Sequence, residues 1–190
     1  MKKIIFLFSL LTLVSFSVSS LKAQDQEMMK RWMEYSTPGD VHKQMAKTAG
    51  SWKYTSKMWM APGQEPMVSD GTAIFESIYG GRYIQAKVTG SMMGMPFEGT
   101  AMSGYNNSTK KYFVTWIDNM GTGVMVLEGT RDAGTGVITY TGSMFDPMTG
   151  KNCTMRQTEK MDGDNKMIME MYSTQEGGTE KKDMELVYTR

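Results

Sequence analysis

From Ser51 to the end of the chain, apolar and polar residues alternate with a period of two. Trp52, Tyr54, Met58 and Met60 are interleaved with Lys53, Thr55 and Lys57, the pattern of a half-buried strand. Further strands are predicted near residues 68–79, 82–90, 96–104, 111–118, 122–130, 137–145, 151–160, 166–173 and 181–189. Short runs rich in Gly, Asn and Asp separate them, among them Gly80-Gly81, Asn106-Asn107-Ser108 and Asp162-Gly163-Asp164-Asn165, which is turn chemistry. About ten short strands joined by hairpin-length loops make an all-β, up-and-down antiparallel meander. Closing it into a barrel removes the exposed edges, with an open sandwich as the structural alternative.

Charged positions orient several strands. Lys181, Asp183 and Glu185 oppose Met184, Leu186 and Tyr188; Lys166, Glu170 and Tyr172 oppose Met167, Met169 and Met171. Gln85 and Lys87 oppose Ile84, Ala86 and Val88, and Thr154, Arg156, Thr158 and Lys160 turn Cys153, Met155 and Gln157 inward. Alternation in 122–130 is too weak to assign its faces. The inward set is mostly Met, aliphatic and aromatic, so the predicted lumen is apolar.

Ahead of the strands the period is helical. Met28, Met29, Trp32 and Met33 share a face within 25–35. A second helix is predicted over residues 38–48, with Thr37 as N-cap, Pro38 as first helical residue and Asp40 at the third position of a capping box. Val41, Met45 and Ala49 form its apolar face, and the helix is expected to lie across one barrel end. Earlier still, Lys2 and Lys3 precede an apolar run from Ile4 to Val18, and small Ala23 follows. That is the layout of a secretory signal peptide, too short for a comfortable membrane span. The expected organisation is a signal peptide at 1–23, a helical segment at 24–49 and a barrel at 50–190, in an exported protein, periplasmic or secreted. No stable membrane anchor is expected after signal removal.

Composition narrows the chemistry. The 190 residues carry a net charge of +1; residues 1–23 hold Lys2, Lys3 and Lys22 and no acid, so the mature chain has a net charge of −2. Nucleic acid is therefore a poor partner. The single Cys excludes an internal disulfide, and the single His excludes sites built on two or three imidazoles. His42 is expected in a solvated or capping role, and Cys153 as a small buried thiol.

The 22 Met are the unusual feature. Met58/Met60, Met93/Met95 and Met167/Met169/Met171 form M-x-M rows, which on a strand put sulfurs on one face about 7 Å apart. They admit three readings: packing of an irregular core, a deformable cavity for an apolar ligand such as a lipid, or Cu(I) binding by thioethers. No cofactor is expected, with Cu(I) and a haem ligated by His42 or a Met as the alternatives considered. Tyr54, Met58, Trp116, Tyr140, Met155, Met169 and Met184 are the candidate lumen-lining residues. Tyr54, Glu76, Arg82 and Tyr140 are the set an isomerase-type lumenal enzyme would need.

Trp52, in Gly50-Ser51-Trp52 on the first strand, and Arg190, ending the last, both have inward parity. A guanidinium stacked on the indole would satisfy the charge, so both are assigned structural roles. This Gly-x-Trp and Arg pairing resembles the signature of calycins, the superfamily that includes lipocalins and fatty-acid-binding proteins. A narrower resemblance rests on blocks in order: His42-x-x-Met45, Gly50-Ser51-Trp52, Gly80-Gly81-Arg82-Tyr83, Met92-Met93-Gly94-Met95-Pro96-Phe97, Trp116-Ile117-Asp118 and Asp146-Pro147-Met148-Thr149-Gly150. Over about residues 40–190 the chain resembles the bacterial family known as domain of unknown function 1579. That resemblance implies a calycin-like barrel and no established activity. The expected function is non-catalytic binding or carriage of a small hydrophobic ligand; a Cu(I)-handling protein and a lumenal isomerase-type enzyme are the alternatives.

Overall fold

The computed structural model describes residues 24–190; the predicted signal peptide at 1–23 lies outside the described residues. Residues 24–36 are helical (α1), with Met28, Met29, Trp32 and Met33 exposed. Pro38–Arg190 forms a separate compact unit. It holds helix α2 (Asp40–Ala46) and ten strands: β1 (Gly50–Met58), β2 (Met67–Ile78), β3 (Tyr83–Met92), β4 (Met95–Asn106), β5 (Lys111–Asp118), β6 (Met125–Arg131), β7 (Ile138–Asp146), β8 (Lys151–Met161), β9 (Lys166–Gln175) and β10 (Lys181–Thr189). Each strand pairs antiparallel with its sequence neighbour, and β1 pairs with β10, which closes the barrel. Closure leaves no strand edge unpaired, the expected solution for a long meander. Within this unit α2 packs on β3 and β4.

Register places every inward residue. Trp52, Tyr54 and Ser56 on β1 face Ala73, Gly71 and Ser69 on β2, while Tyr54 and Ser56 face Tyr188 and Leu186 on β10. On β8, Cys153, Met155 and Gln157 are buried, as their parity predicts. β6 escaped orientation because Val124 just ahead of it and Val126 on its outer face are both exposed, so apolar residues occupy both sides of the pleat. Met125 and Leu127 are its inward pair.

The last strand departs from simple alternation. A bulge between Lys182 and Met184 shifts the β10–β9 register, so Lys181 pairs with Ser173 while Met184 pairs with Met171. Lys181 and Asp183, predicted to face solvent with Glu185, therefore border the lumen instead. Lys182 takes the outer face, where it bonds Glu170 at 2.7 Å and Glu185 at 2.6 Å.

One barrel end is sealed. Arg190 stacks on the Trp52 indole with its guanidinium carbon 4.3 Å from the ring centroid. It donates to the carbonyls of Lys47 (3.1 Å), Ala49 (2.9 Å) and Asp164 (2.8 Å). Trp52 Nε1 donates to the Thr48 carbonyl at 2.8 Å, and the side chain is 2% exposed. Gly50 adopts φ +134°, and a Cβ there would lie 3.3 Å from Arg190 Nη1.

Helix α2 completes the seal with a shifted start. Gly39 is the N-cap, two residues after the expected Thr37, and His42 occupies the third helical position. Its Nδ1 accepts from the Gly39 N–H at 3.1 Å, so Nε2 carries the proton and donates to the Tyr105 carbonyl at 3.0 Å. The ring is buried edge-on against Tyr105, which corrects the solvated half of the expectation and leaves the capping half in place. Val41 and Met45 pack on the core cluster around Tyr112, Leu127 and Tyr140.

Candidate functional site

A cavity of about 440 Å³ opens at the opposite end, between the ends of β1, β3, β5, β7 and β9 and the starts of β2, β4, β8 and β10. Its volume falls in the range of small-molecule sites. Apolar side chains make most of the wall, including Phe75, Val88, Phe97, Val114 and Leu186. Thioethers contribute Met92, Met125, Met144, Met155, Met169, Met171 and Met184, whose rotatable, polarisable chains adapt to an occupant.

Five of the seven residues selected from the sequence border this space: Tyr54, Trp116, Met155, Met169 and Met184. Met58 does not line it, although it has inward parity, because it ends β1 at the rim opposite Met184 and Met67. Tyr140 lies below the cavity, 1% exposed within the closed-end packing against Tyr112 and Leu127. The Met93/Met95 row is on a hairpin tip and exposed, as is Met60; parity cannot show where a strand stops. Glu76 and Arg82 are exposed on the outside, so the residues needed for an isomerase-type cluster do not converge with Tyr54 and Tyr140.

Trp116 lies over Gly99, where any Cβ would collide with the indole, and stacks beside Phe97 with centroids 6.1 Å apart. Its Nε1 donates to Asp118 Oδ2 at 2.6 Å. Tyr54 covers Gly71 and Gly90 in the same way, and its hydroxyl reaches the Thr89 carbonyl at 3.4 Å. Both large rings are therefore laid flat on the wall by glycines in the neighbouring strands, which keeps the space between them open.

Polar groups sit at the two limits of the cavity. At the mouth are Asp118, Asp146 and Asp183, with Lys181 bonded to Asp183 at 2.9 Å. Asp146 accepts from the Met148 N–H, Thr149 and Gln175, and these bonds hold its carboxyl below the usual range. At the inner limit is Gln157, 2% exposed, whose Nε2 is enclosed without a hydrogen-bond partner. Ser56 and Ser69, by contrast, satisfy each other at 2.8 Å.

The next inward residue on β8 is Glu159, which pairs in register with Ile138 and Met169. Burial pushes its carboxyl up to about 7. Burial also raises the neighbouring tyrosines Tyr112, Tyr140 and Tyr188, and the Glu159 charge adds to each shift. Sequence reasoning missed Glu159, yet extending the parity of Cys153, Met155 and Gln157 by one step finds it. Cys153 Sγ lies 3.9 Å from Met155 Sδ, and burial together with Asp146 and Asp183 pushes the thiol up.

Among solved structures, the chain is similar to Rv2717c from M. tuberculosis, with a TM-score of 0.60 and 14% identity over 81% of this chain and 99% of that one. It also matches a de novo designed fluorescence-activating β-barrel, at a TM-score of 0.43 and 12% identity over 75% of this chain and 92% of the design. At such identities the first likeness is one of fold. Comparison with curated proteins finds no match. The model of the family described as "Protein of unknown function (DUF1579)" matches residues 37–190, the whole barrel with its sealing helix, and the chain belongs to that family.

Proposed function

We propose that this protein is an exported, non-catalytic binder of a small hydrophobic molecule held in the barrel. The observation that carries the reading is the open cavity of about 440 Å³ with its apolar, methionine-rich wall. Glu76 and Arg82 lie outside, so the lumenal enzyme reading loses two of its four residues. The Cu(I) reading rests on the M-x-M rows, but Met60, Met93 and Met95 are exposed away from the lumen, and Cys153, the thiol beside Met155, is pushed up by burial and two carboxylates and so resists becoming the thiolate a soft metal prefers.

The test is uptake of an apolar, environment-sensitive fluorophore by purified protein, alongside Ala101→Phe, which fills the wall beside Trp116. Wild type takes up one fluorophore per chain, and dodecane displaces it. The variant, checked for folding by circular dichroism, takes up little. Equal uptake by a folded A101F protein would show that the cavity is not the site. Export is tested separately, by fractionating the host with and without residues 1–23.

A further inference from the structure

The polar groups around the cavity are unevenly matched, and the mismatch specifies a ligand class. Gln157 is the buried exception: it borders the cavity at its inner limit, and its Nε2 is enclosed without a partner. A buried polar group left unpaired is costly and rare in native interiors. Its cross-strand neighbours, Tyr140 and Met171, leave it facing the lumen. Four ionisable side chains with charge at neutral pH border the cavity: Asp118, Asp146, Lys181 and Asp183. All four are at the mouth, and Lys181 is held by Asp183. No arginine is on the wall, and the next inward residue beyond Gln157 on β8 is the acid Glu159.

We propose that the cavity selects an uncharged amphiphile, an alcohol, ester or amide, whose polar head accepts a hydrogen bond from Gln157 while its apolar body fills the methionine-lined wall. This rests on the hydrophobic-binder reading above and adds the head group and its direction. A carboxylate head at Gln157 would be buried without a cation, near Glu159 and behind an acidic entrance. A cationic head would stay hydrated at the mouth among the aspartates and leave Gln157 unpaired. An uncharged acceptor satisfies the amide and brings no charge into the interior.

The experiment is displacement of the bound fluorophore at pH 8 by dodecane, 1-dodecanol, methyl dodecanoate and dodecanoate, with wild type and Gln157→Leu. Dodecanol and the methyl ester bind wild type at least tenfold more tightly than dodecanoate. Q157L weakens dodecanol about five- to tenfold, as expected for one lost hydrogen bond, and leaves dodecane unchanged. Gln157→Met, unbranched and similar in length, repeats the measurement should Leu disturb folding. Dodecanoate binding as tightly as dodecanol, or equal weakening of dodecane and dodecanol by both variants, would overturn the proposal and leave the cavity reading intact. Failure of wild type to take up either fluorophore or dodecane would overturn both.

Discussion

The two ends of this barrel are built from opposite principles. At the closed end the polar groups of Trp52, His42 and Arg190 are engaged by backbone: one indole N–H, two imidazole nitrogens and a guanidinium meet carbonyls or an N–H at the start of α2, in the α2–β1 link, on β4 and in the β8–β9 turn. At the mouth, Lys181 meets Asp183, Asp146 divides its bonds between the Met148 N–H and the side chains of Thr149 and Gln175, and flexible thioethers replace interlocked rings. Backbone partners are fixed by the fold, so the closed end is rigid and expensive to disturb. Side-chain partners can rearrange, so the mouth can open around an occupant without unfolding the sheet.

That contrast breaks most directly at Trp52. Trp52→Ala removes a fully buried ring and is expected to cost about 3–5 kcal/mol, whereas Met184→Ala at the mouth, which only enlarges an existing space, costs about 1–2 kcal/mol. Urea unfolding of both variants checks the pair; equal losses would erase the distinction between the ends.

The pH dependence sharpens the same comparison. Glu159 has a folded-state pKa of about 7, above its ordinary value of 4.5. A raised acid pKa leaves stability intact below about 4.5. Stability is then lost as pH climbs toward 7, because the unfolded chain ionises first. The loss levels off above that value and is at most about 3 kcal/mol. Glu159→Gln removes this slope, so the variant gains on wild type between pH 4.5 and 8. Thermal melts across that range measure it; parallel curves for the two proteins would contradict the buried placement of the carboxyl.

Arg190→Ala should cost about 2 kcal/mol, from lost charge-assisted bonds and the stacked indole. Arg190→Lys should recover little of it, since an ammonium cannot reach three carbonyls while lying flat on a ring. The smallest effect is expected at the mouth, where Asp183→Asn breaks a partly exposed ion pair and costs about 0.2–1 kcal/mol. A D183N loss rivalling that of R190A would mean the mouth is as tightly held as the seal.

Much of this was legible in the alternation of side chains. All ten strands, their antiparallel order and the inward set of β3, β8 and β9 follow from period-two patterning, because one face must be apolar and one wet. Trp52 and Arg190 were legible as a pair because a charge with inward parity demands a partner. What parity could not supply was depth. Met58 and Tyr140 point the right way but lie at the rim and below the cavity, and position along the barrel axis depends on inter-strand register. Nor could it supply the bulge in β10, which reversed Lys181, or the start of α2, where an imidazole took the capping role expected of Thr37 and Asp40. The cavity itself depends on glycines beneath Trp116 and Tyr54, and single residues on adjacent strands become neighbours only once the sheet has closed.

The bulge has a consequence for how this chain tolerates changes in length. Asp183 is a supernumerary residue: Lys182 pairs with Tyr172 and Met184 with Met171, so the flanking ladder closes over it on both sides. Most single-residue deletions within a strand would invert every side chain beyond them. A deletion of Asp183 would leave both flanks in their present register against β9, removing the partner of Lys181 and the carbonyl that accepts from the Trp59 N–H at 2.9 Å. The rim therefore contains a point where a residue can be gained or lost without rethreading the barrel, a place where the entrance can be resized independently of its lining.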